Sequence, residues 1–586
     1  MNTMKPILHT SAHLLWLILV LALAVAIPAT TTMAAAAAPS TDVKRGEAPD
    51  LILYNGNIST LDTNDSTVEA IAIRDGKILA TGGNGAIKAL AKGDTELIDL
   101  HGRRVLPGLI DGHLHGIRMG SYFCFTRSPR FDVIFNRSEA IANVASKAAR
   151  TPTGKWLFQL AGAWNISQLD IPGMLTKAEL DTVAPNNPVY LQGTGFTGGQ
   201  TNTRGLQALG LGPGSEGVVL DANGQPTGQL IGAANTLAVR TIGTELETLT
   251  LDEQDACTVD FIRELNRRGL TAWDDPGGNN PFSPTGVPDP VLRGSHGYQA
   301  INRLHREGRL NARVRFSFSC FGSIIGMPCV LENTANALSG IGNDLLRIGG
   351  VGEEVLNLTG GIYADPEYAE ILRYLASNEW SLEHHATAGS TQHAMVASWE
   401  RVNQEFPITE LGWRMLHPGD GPTEPNPDTL TRLRALGAGV VPTNTNVKSS
   451  GTSDHPPYRR IYESGTPACL GTDALNVSPY PPFLNLWYVV SGKTNVPGQA
   501  GVVPEQRLTR LEALRFATEK CGWFIDLEGK VGTLEPDNFA DLIVLSNDYF
   551  AVPEDEIRTL TSVLTLVDDR IVFAAAEYAG LDQPKR

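Results

Sequence analysis

The sequence lacks an excess of basic residues. It carries 47 lysines and arginines against 63 aspartates and glutamates, which gives a formal net charge of −16 at pH 7. A nucleic-acid-binding surface needs clustered positive charge to neutralise phosphates. No run of like charges is long enough to form an interaction tail. The composition therefore argues against nucleic acid as a partner.

Closely spaced cysteine pairs are also missing. A zinc site built from cysteines needs such pairs, so a zinc finger is excluded. In a chain of this size we expect most cysteines to be buried small apolar residues. Cys320 and Cys329 are close enough in sequence to form a disulfide, but the sequence alone does not establish the bond. The scattered cysteines are Cys124, Cys257, Cys320, Cys329, Cys469 and Cys521.

A long apolar run occurs only near the N-terminus. Lys5 is followed by an apolar run from Leu14 to Ile27 and then by small residues through Ala38. This pattern predicts a signal peptide over residues 1–38 and export to the periplasm or the medium. The run is shorter than the roughly 20 residues of a membrane-spanning helix. An uncleaved anchor or a misassigned start is the alternative, and we expect no stable membrane span in the mature chain.

The two ends of the chain have the same kind of sequence pattern. Short strand-like segments fill residues 45–107 and 531–580, with predicted hairpin turns at Asp75–Gly76 and Asp568–Asp569. We expect both ends to come together as one small sheet domain.

Between these ends, helical patterns alternate with buried strand-like runs. Residues 108–530 therefore predict an α/β fold with a parallel sheet, best fitted by a (β/α)₈ TIM barrel. Residues 125–250 are more than a barrel loop needs, so we interpret them as an inserted subdomain. A chain of 586 residues is long enough for at least two domains.

Metal-ligand residue types follow several of the predicted strands. The segment LPGLIDGHLHG places His113 and His115 one residue apart at the end of an apolar run, so both side chains should face one side. His385, His417 and Asp473 each end a later strand-like run. Chemistry in such barrels lies at the carboxyl ends of the strands. These five residues therefore predict one divalent-metal site.

The predicted ligands also suggest a reaction. Several imidazoles and one carboxylate suit Zn²⁺ or a similar ion, which lowers the pKa of a bound water to about 7. Asp473 is the candidate general base that takes the water proton and then, as general acid, passes it to the leaving group.

The sequence resembles the amidohydrolase superfamily of metal-dependent hydrolases, in its YtcJ-like branch. The resemblance rests on LPGLIDGHLH, the single histidines, GTDA at Asp473 and the closing VGTLEPDNFADLIVLSND, and it spans nearly the whole mature chain. It implies a (β/α)₈ barrel with a small β-sandwich made from both chain ends. It also implies that Asp473 is the catalytic and often ligating aspartate. The positions that match the metal ligands of the family are His113, His115, His385 and His417.

The sequence departs from the family pattern after the fourth strand. Many relatives carry there a lysine or glutamate that bridges two metals, whereas this chain has RIGGVGEEVLNLTGG without a lysine. Glu353 and Glu354 are both candidates, so the site holds one or two ions. HHATAGS and LQGTGFTGG also differ from the branch, which leaves the substrate open. We interpret His384 as structural, with an exchange of roles with His385 as the alternative.

The function expected from this resemblance is hydrolysis of a non-peptide C–N bond in a small molecule, such as an amide, a formamide or a cyclic amide. A deaminase, an ester hydrolase or a decarboxylase on the same site is one alternative. A non-catalytic metal- or ligand-binding relative is another. The sequence does not determine the substrate, the metal or the oligomeric state.

Overall fold

The structure is a computed structural model, and the signal-peptide prediction for residues 1–38 lies outside its described residues. The described residues are 48–121, 123–124, 131, 133–164, 168–193, 198–246, 250–277, 297–320, 325–356, 362–386, 389–418, 426–443, 456–474, 478–499 and 501–583. Among them, no helix is long and apolar enough to cross a membrane.

The N-terminal residues form short strands and one short helix. Asp75 and Gly76 both have positive φ angles, 50° and 76°, as a two-residue hairpin requires, so the predicted turn is confirmed. The elements are β1 (Leu51–Tyr54), β2 (Asn57–Ser59), β3 (Thr67–Val68), β4 (Ala70–Arg74), β5 (Lys77–Gly82), α1 (Asn84–Lys88), β6 (Glu96–Asp99) and β7 (Arg104–Pro107).

The C-terminal strands are β20 (Leu542–Leu545), β21 (Ser562–Val567) and β22 (Arg570–Ala574), with short 3₁₀ helices at Glu554–Thr559 and Ala576–Tyr578. β20 pairs antiparallel with β7, so both chain ends share a six-stranded sheet in the order β22-β21-β20-β7-β2-β3. A four-stranded sheet has the order β5-β4-β1-β6. Alternate apolar side chains of both sheets form one core, for example Leu53, Ile58, Leu542 and Leu564.

The middle of the chain alternates strands with helices. Seven parallel strands form one sheet in the order β19-β18-β17-β16-β15-β14-β8. The α/β fold with a parallel sheet is therefore confirmed. The strands are β8 (Leu109–Asp111), β14 (Leu270–Asp275), β15 (Arg313–Phe318), β16 (Leu346–Val351), β17 (Ser381–His385), β18 (Arg414–Leu416) and β19 (Gly439–Val441).

Residues 468–474 connect the two edges of this sheet. Isolated parallel bridges join Val440 to Ala468 and Leu114 to Ala474. The backbone N–H of Gly112 also donates to the carbonyl of Leu470 at 2.9 Å. This segment thus occupies the position of an eighth strand between β19 and β8.

Helices follow the parallel strands, and several begin at a strong cap. Thr250 and Glu253 form a capping box at the start of α7, and Asn426 caps α12. The helices are α2 (Gly116–Gly120), α7 (Leu251–Arg267), α8 (Gly297–Arg306), α9 (Gly326–Thr334), α10 (Pro366–Ser377), α11 (Gly389–Glu405), α12 (Pro427–Ala435), α13 (Tyr458–Glu463), α14 (Pro482–Ser491) and α15 (Arg510–Arg515). Short 3₁₀ helices lie at Ile362–Ala364, Pro504–Gln506 and Glu519–Ile525.

A separate five-stranded sheet lies between α2 and α7 in the chain, in the order β12-β13-β11-β10-β9. Within the described ranges its strands pair only with one another. Its elements are α3 (Arg137–Ala148), β9 (Leu157–Trp164), α4 (Lys177–Val183), β10 (Val189–Gly193), β11 (Gly198–Thr201), α5 (Thr203–Leu209), β12 (Val218–Leu220), β13 (Pro226–Ile231) and α6 (Gly232–Leu246).

All six cysteines are paired, which corrects the expectation that most of them are single apolar residues. Cys320–Cys329 forms, as the short spacing allows. Two other pairs span 133 and 52 residues, and the fold brings their Cα atoms to 4.6 and 4.8 Å. Sequence spacing carries no signal for such distant pairs. The three disulfides are Cys124–Cys257, Cys320–Cys329 and Cys469–Cys521.

Candidate metal centre

Side chains from the carboxyl ends of five strand positions converge on one point. The histidine pair follows β8, a glutamate follows β16, single histidines end β17 and follow β18, and an aspartate lies near the end of the 468–474 segment. Because parallel strands end at the same edge, residues far apart in sequence meet there. The six residues are His113, His115, Glu353, His385, His417 and Asp473.

Glu353 lies in the middle of the cluster. Its Oε2 is 2.8 Å from Nε2 of His417 and 3.3 Å from Nδ1 of His385. Its Oε1 is 3.3 Å from Nε2 of His115, and Oε2 is 3.8 Å from Nε2 of His113. One carboxylate therefore faces all four predicted histidines.

Asp473 joins the cluster from the 468–474 segment, which lies between β19 and β8. Its Oδ1 lies 3.3 Å from Nε2 of His115 and 3.5 Å from Nε2 of His113. Asp473 and His417 both have left-handed backbones, with φ angles of 51° and 64°. Non-glycine residues adopt this conformation at a cost, and such residues gather at functional sites. Backbone bonds hold both: Asp473 N donates to His113 O at 2.8 Å, and His417 N to Val441 O at 3.0 Å.

The donor atoms fit a metal ion. Both ring nitrogens of His113 and of His115, and Oδ1 of Asp473, are buried and make no hydrogen bond within the described part of the chain. Buried polar atoms are normally hydrogen-bonded, so these atoms call for another partner. Imidazole nitrogens and carboxylate oxygens are the ligands that Zn²⁺ and similar ions take.

The electrostatics of the cluster favour ionised carboxylates. Burial alone would raise the pKa of Glu353, but the close imidazole of His115 and the hydrogen bonds with His385 and His417 hold that pKa well below its usual range. For Asp473, burial is likewise outweighed by the neighbouring imidazoles, and its pKa lies below its usual range. Burial lowers the pKa of His115, but Asp473 and Glu353 outweigh it and raise that pKa to about 9. The cluster thus presents two anions to a cation.

Two neighbouring candidates lie outside the cluster. The backbone carbonyl of Glu354 accepts from Cys320 N at 3.0 Å, and burial, followed by the charge of Glu353, raises the pKa of its carboxyl to about 8. His384 packs between Tyr363 and Tyr368, with ring centroids 5.7 and 5.3 Å away. The structure thus places Glu353 rather than Glu354, and His385 rather than His384, among the converging side chains.

Supporting residues were missed from the sequence. Asp111 is buried, and its Oδ1 accepts from the backbone N–H groups of His113 and Thr472, both at 3.0 Å. Its Oδ2 accepts from the Thr472 hydroxyl at 2.6 Å. The Thr443 hydroxyl lies 3.0 Å from Nδ1 of His417. Asp111 lies inside the histidine motif and was within reach of sequence reasoning, whereas no motif marks Thr443.

Comparison with known proteins assigns the chain to a family. The model of the amidohydrolase family matches residues 96–573. The chain belongs to the amidohydrolase family. It is a metal-dependent hydrolase that acts on carbon–nitrogen bonds, and the prediction of the YtcJ-like branch is confirmed.

Individual relatives support this amidohydrolase assignment. N-substituted formamide deformylase of Arthrobacter pascens is 24% identical over 573 residues, which cover 89% of this chain and 97% of the relative. Putative amidohydrolase YtcJ of Bacillus subtilis is 32% identical over 199 residues, which cover 33% and 36%. An uncharacterized metal-dependent hydrolase from Pyrococcus horikoshii OT3 shares the fold, with a TM-score of 0.60, 20% identity, and coverage of 86% and 99%.

Proposed function

We propose that this amidohydrolase cleaves the C–N bond of a small amide, formamide or cyclic amide at a two-ion centre bridged by Glu353. One observation carries the proposal: the Glu353 carboxylate lies within 3.8 Å of all four histidines, with His115 at Oε1 and the other three at Oε2. Two groups of ligand atoms, each confined within 4.8 Å, share this glutamate. A carboxylate with two oxygens suits a bridge between two ions.

Two of the groups of ligand atoms suggest two ion positions. His113 and His115 would hold one ion and His385 and His417 the other, with Glu353 shared. Asp473 lies near His113 and His115 through Oδ1 and near His417 through Oδ2, so it could serve either ion. Zn²⁺ is the ion we propose, because imidazole and carboxylate ligands suit it. Such ions polarise a carbonyl and lower the pKa of bound water to about 7.

Asp473 is the proposed proton carrier. Its ionised carboxylate spans the cluster, with Oδ1 near His113 and His115 and Oδ2 3.7 Å from Nδ1 of His417. A carboxylate in this position takes a proton from the attacking water as general base. It then delivers the proton to the leaving nitrogen as general acid.

An N-substituted formamide is the first substrate class to test. The formamide deformylase of Arthrobacter pascens aligns with 89% of this chain and over nearly its own full length. Linear and cyclic amides remain in the proposal, because the same metal chemistry acts on any carboxamide carbonyl.

We also propose the finer architecture and the location. The parallel sheet would close through residues 468–474 into a (β/α)₈ barrel, supported by the bridges to β19 and β8. The two end sheets would form the small β-sandwich, and residues 125–250 the insertion. Export to the periplasm or the medium is supported by the N-terminal apolar run and by three disulfides, which persist in oxidising compartments.

Metal content tests the site. We expect about two Zn²⁺ per purified chain by elemental analysis, the number that a bridged pair requires. Glu353→Gln should lose most of this metal, and His113→Ala should lose at least one ion. Glu354→Gln is the matched control, since it changes the adjacent carboxylate, and it should retain the metal. A wild type that takes up no metal after reconstitution would overturn the proposal. Uptake of a single ion would contradict the pair of ions bridged by Glu353.

Turnover tests the reaction. N-substituted formamides, linear amides and cyclic amides are incubated with the zinc-loaded enzyme, and the released amine and acid are quantified. Asp473→Asn should lower kcat by about 10²–10⁴-fold, as expected for loss of a general base. Release of ammonia from an amidine or heterocycle, of acid from an ester, or of carbon dioxide would support the alternative chemistries instead.

A further inference from the structure

We propose that the Cys469–Cys521 disulfide is a positioning element of the metal centre. It fixes the segment that carries Asp473 and, through Gly112, the segment that carries His113. The inference rests on the proposed function, since it concerns the affinity of that site for its metal.

Cys469 lies in the same short segment as Asp473. It lies four residues before Asp473, in the 468–474 segment that connects β19 to β8. Its backbone N–H donates to Val440 O at 3.3 Å. Cys521, its partner, lies in the 3₁₀ helix Glu519–Ile525, and both cysteines are fully buried. The ligand-bearing segment is short, and the disulfide anchors it covalently to the 3₁₀ helix Glu519–Ile525.

Gly112 lies in close contact with the disulfide. A Cβ atom on Gly112 would lie 2.7 Å from Cys469 Sγ, so the histidine motif packs directly on the disulfide. Gly112 stands between Asp111 and His113. The glycine in DGHLH is therefore required by the sulfur behind it, and movement of that sulfur would release the segment.

The segment that carries His113 and the segment that carries Asp473 are in direct contact. Asp473 N and Thr472 N both donate to His113 O, at 2.8 and 3.2 Å. A Cβ on Gly471 would lie 2.7 Å from Cβ of His113. No space separates the two segments, so a shift of one moves the other. The disulfide thus bears on His113 and Asp473 together.

A second disulfide provides the matched control. Cys124–Cys257 spans 133 residues, whereas Cys469–Cys521 spans 52. A disulfide that closes a larger loop removes more entropy from the unfolded chain. The Cys124–Cys257 disulfide should therefore stabilise the folded state at least as much as Cys469–Cys521 does. Cys124 lies beyond α2 and Cys257 in α7, outside the 468–474 segment. Loss of the Cys124–Cys257 disulfide should lower the stability of the fold without changing the position of Asp473.

The experiment compares two double variants of the full chain, Cys469→Ala/Cys521→Ala and Cys124→Ala/Cys257→Ala. Zinc dissociation constants are measured by competition with a chromophoric chelator, alongside thermal midpoints. We expect about 10–100-fold weaker zinc binding in the first variant, the range for loss of a ligand-supporting contact. The control should keep its zinc affinity despite a lower midpoint. Equal zinc affinities in both variants would overturn the inference.

Gly112→Ala keeps the inference testable if the first variant does not fold. With the disulfide intact, the added methyl meets Cys469 Sγ, so zinc binding should weaken and the visible spectrum of the cobalt-substituted protein should change. If the first variant folds, Gly112→Ala should cost less zinc affinity in it than in the wild type, because the sulfur at 2.7 Å is gone and only the Cβ of residue 469 at 3.1 Å and the Leu470 carbonyl remain. Unchanged zinc affinity in Gly112→Ala would contradict the inference. A wild type without bound zinc would instead contradict the proposed function.

Discussion

Removal of the Asp111 carboxylate tests how the two ligand segments are held together. Asp111 lies at the end of β8 and accepts three hydrogen bonds. Two come from Thr472 and one from the backbone of His113. Asp111→Ala leaves the His113 N–H and the Thr472 hydroxyl without their acceptor, and the Thr472 N–H keeps only its 3.2 Å bond to His113 O. Asp111→Asn keeps an oxygen for the two backbone N–H groups.

The size of the effect follows from these contacts. An unsatisfied buried donor costs about 1–3 kcal/mol, so two such donors and a third left with one longer bond give about 3–5 kcal/mol for Asp111→Ala. For Asp111→Asn we expect about 1 kcal/mol or less. Its amide N–H group can donate to the Thr472 hydroxyl oxygen, and loss of a buried charge offsets loss of the stronger bond. Burial does raise the pKa of Asp111 to about 6, despite bonds from Thr472 and His113.

The assay is calorimetric unfolding of metal-free protein, so that metal binding does not contribute to the midpoint. At about 2 °C per kcal/mol for a large chain, Asp111→Ala should unfold about 6–10 °C lower than wild type, and Asp111→Asn within about 2 °C. If the alanine variant is as stable as the asparagine variant, the three contacts do not support this edge of the site, and the reasoning is refuted.

Two further predictions concern a ligand and a surface pair. Thr443→Val removes the hydroxyl 3.0 Å from Nδ1 of His417, and zinc affinity should fall about 10-fold, with Thr443→Ser as the control that retains it. A hydrogen bond from Arg459 lowers the pKa of Glu512 to about 2, so this carboxylate stabilises the fold above pH 4.5 and loses that effect as the pH falls towards 2. Glu512→Gln should therefore cost about 1–2 kcal/mol at pH 7, allowing for solvent screening, and the difference in thermal midpoint should shrink between pH 5 and pH 3.

Secondary structure was predictable where local signals agree. The periodic segment ending at Arg267 is helix α7, and the segment PDTLTRLRA is helix α12, because each begins at a capping side chain. The turn at Asp568–Asp569 lies between β21 and β22 as predicted, since φ is 59° at Asp568 and the pattern of alternation is unbroken on both sides.

The candidate site was predictable to the level of its histidines and its aspartate, because each directly follows an apolar strand. The choice between Glu353 and Glu354 was not. Both residues lie beyond the end of β16, where the alternation of side chains along a strand no longer applies. Only the path of the backbone after Val351 determines which carboxylate enters the cluster. The two distant disulfides could not be predicted either, because their pairing depends on the topology of the fold and not on the spacing of the cysteines in the sequence.

A layer of buried charge beneath the metal centre shows a further limit of sequence reasoning. The buried strand RVRFSF carries two arginines, and Arg315 is fully buried. It bonds to Asp274 at 3.0 Å and to Glu383, while Arg414 bonds to Asp274. The register of neighbouring strands sets these residues side by side, Asp274 opposite Arg315 and Glu383 opposite Arg414. Arg315 and Arg414 are thus paired with Asp274 and Glu383 within the layer, and Asp526 adds a further bond to Arg315 at 3.1 Å. Because Glu383 stands two residues before His385 in β17, the paired charges lie next to the ligands. The two arginines are matched by these carboxylates and not by those of the metal centre.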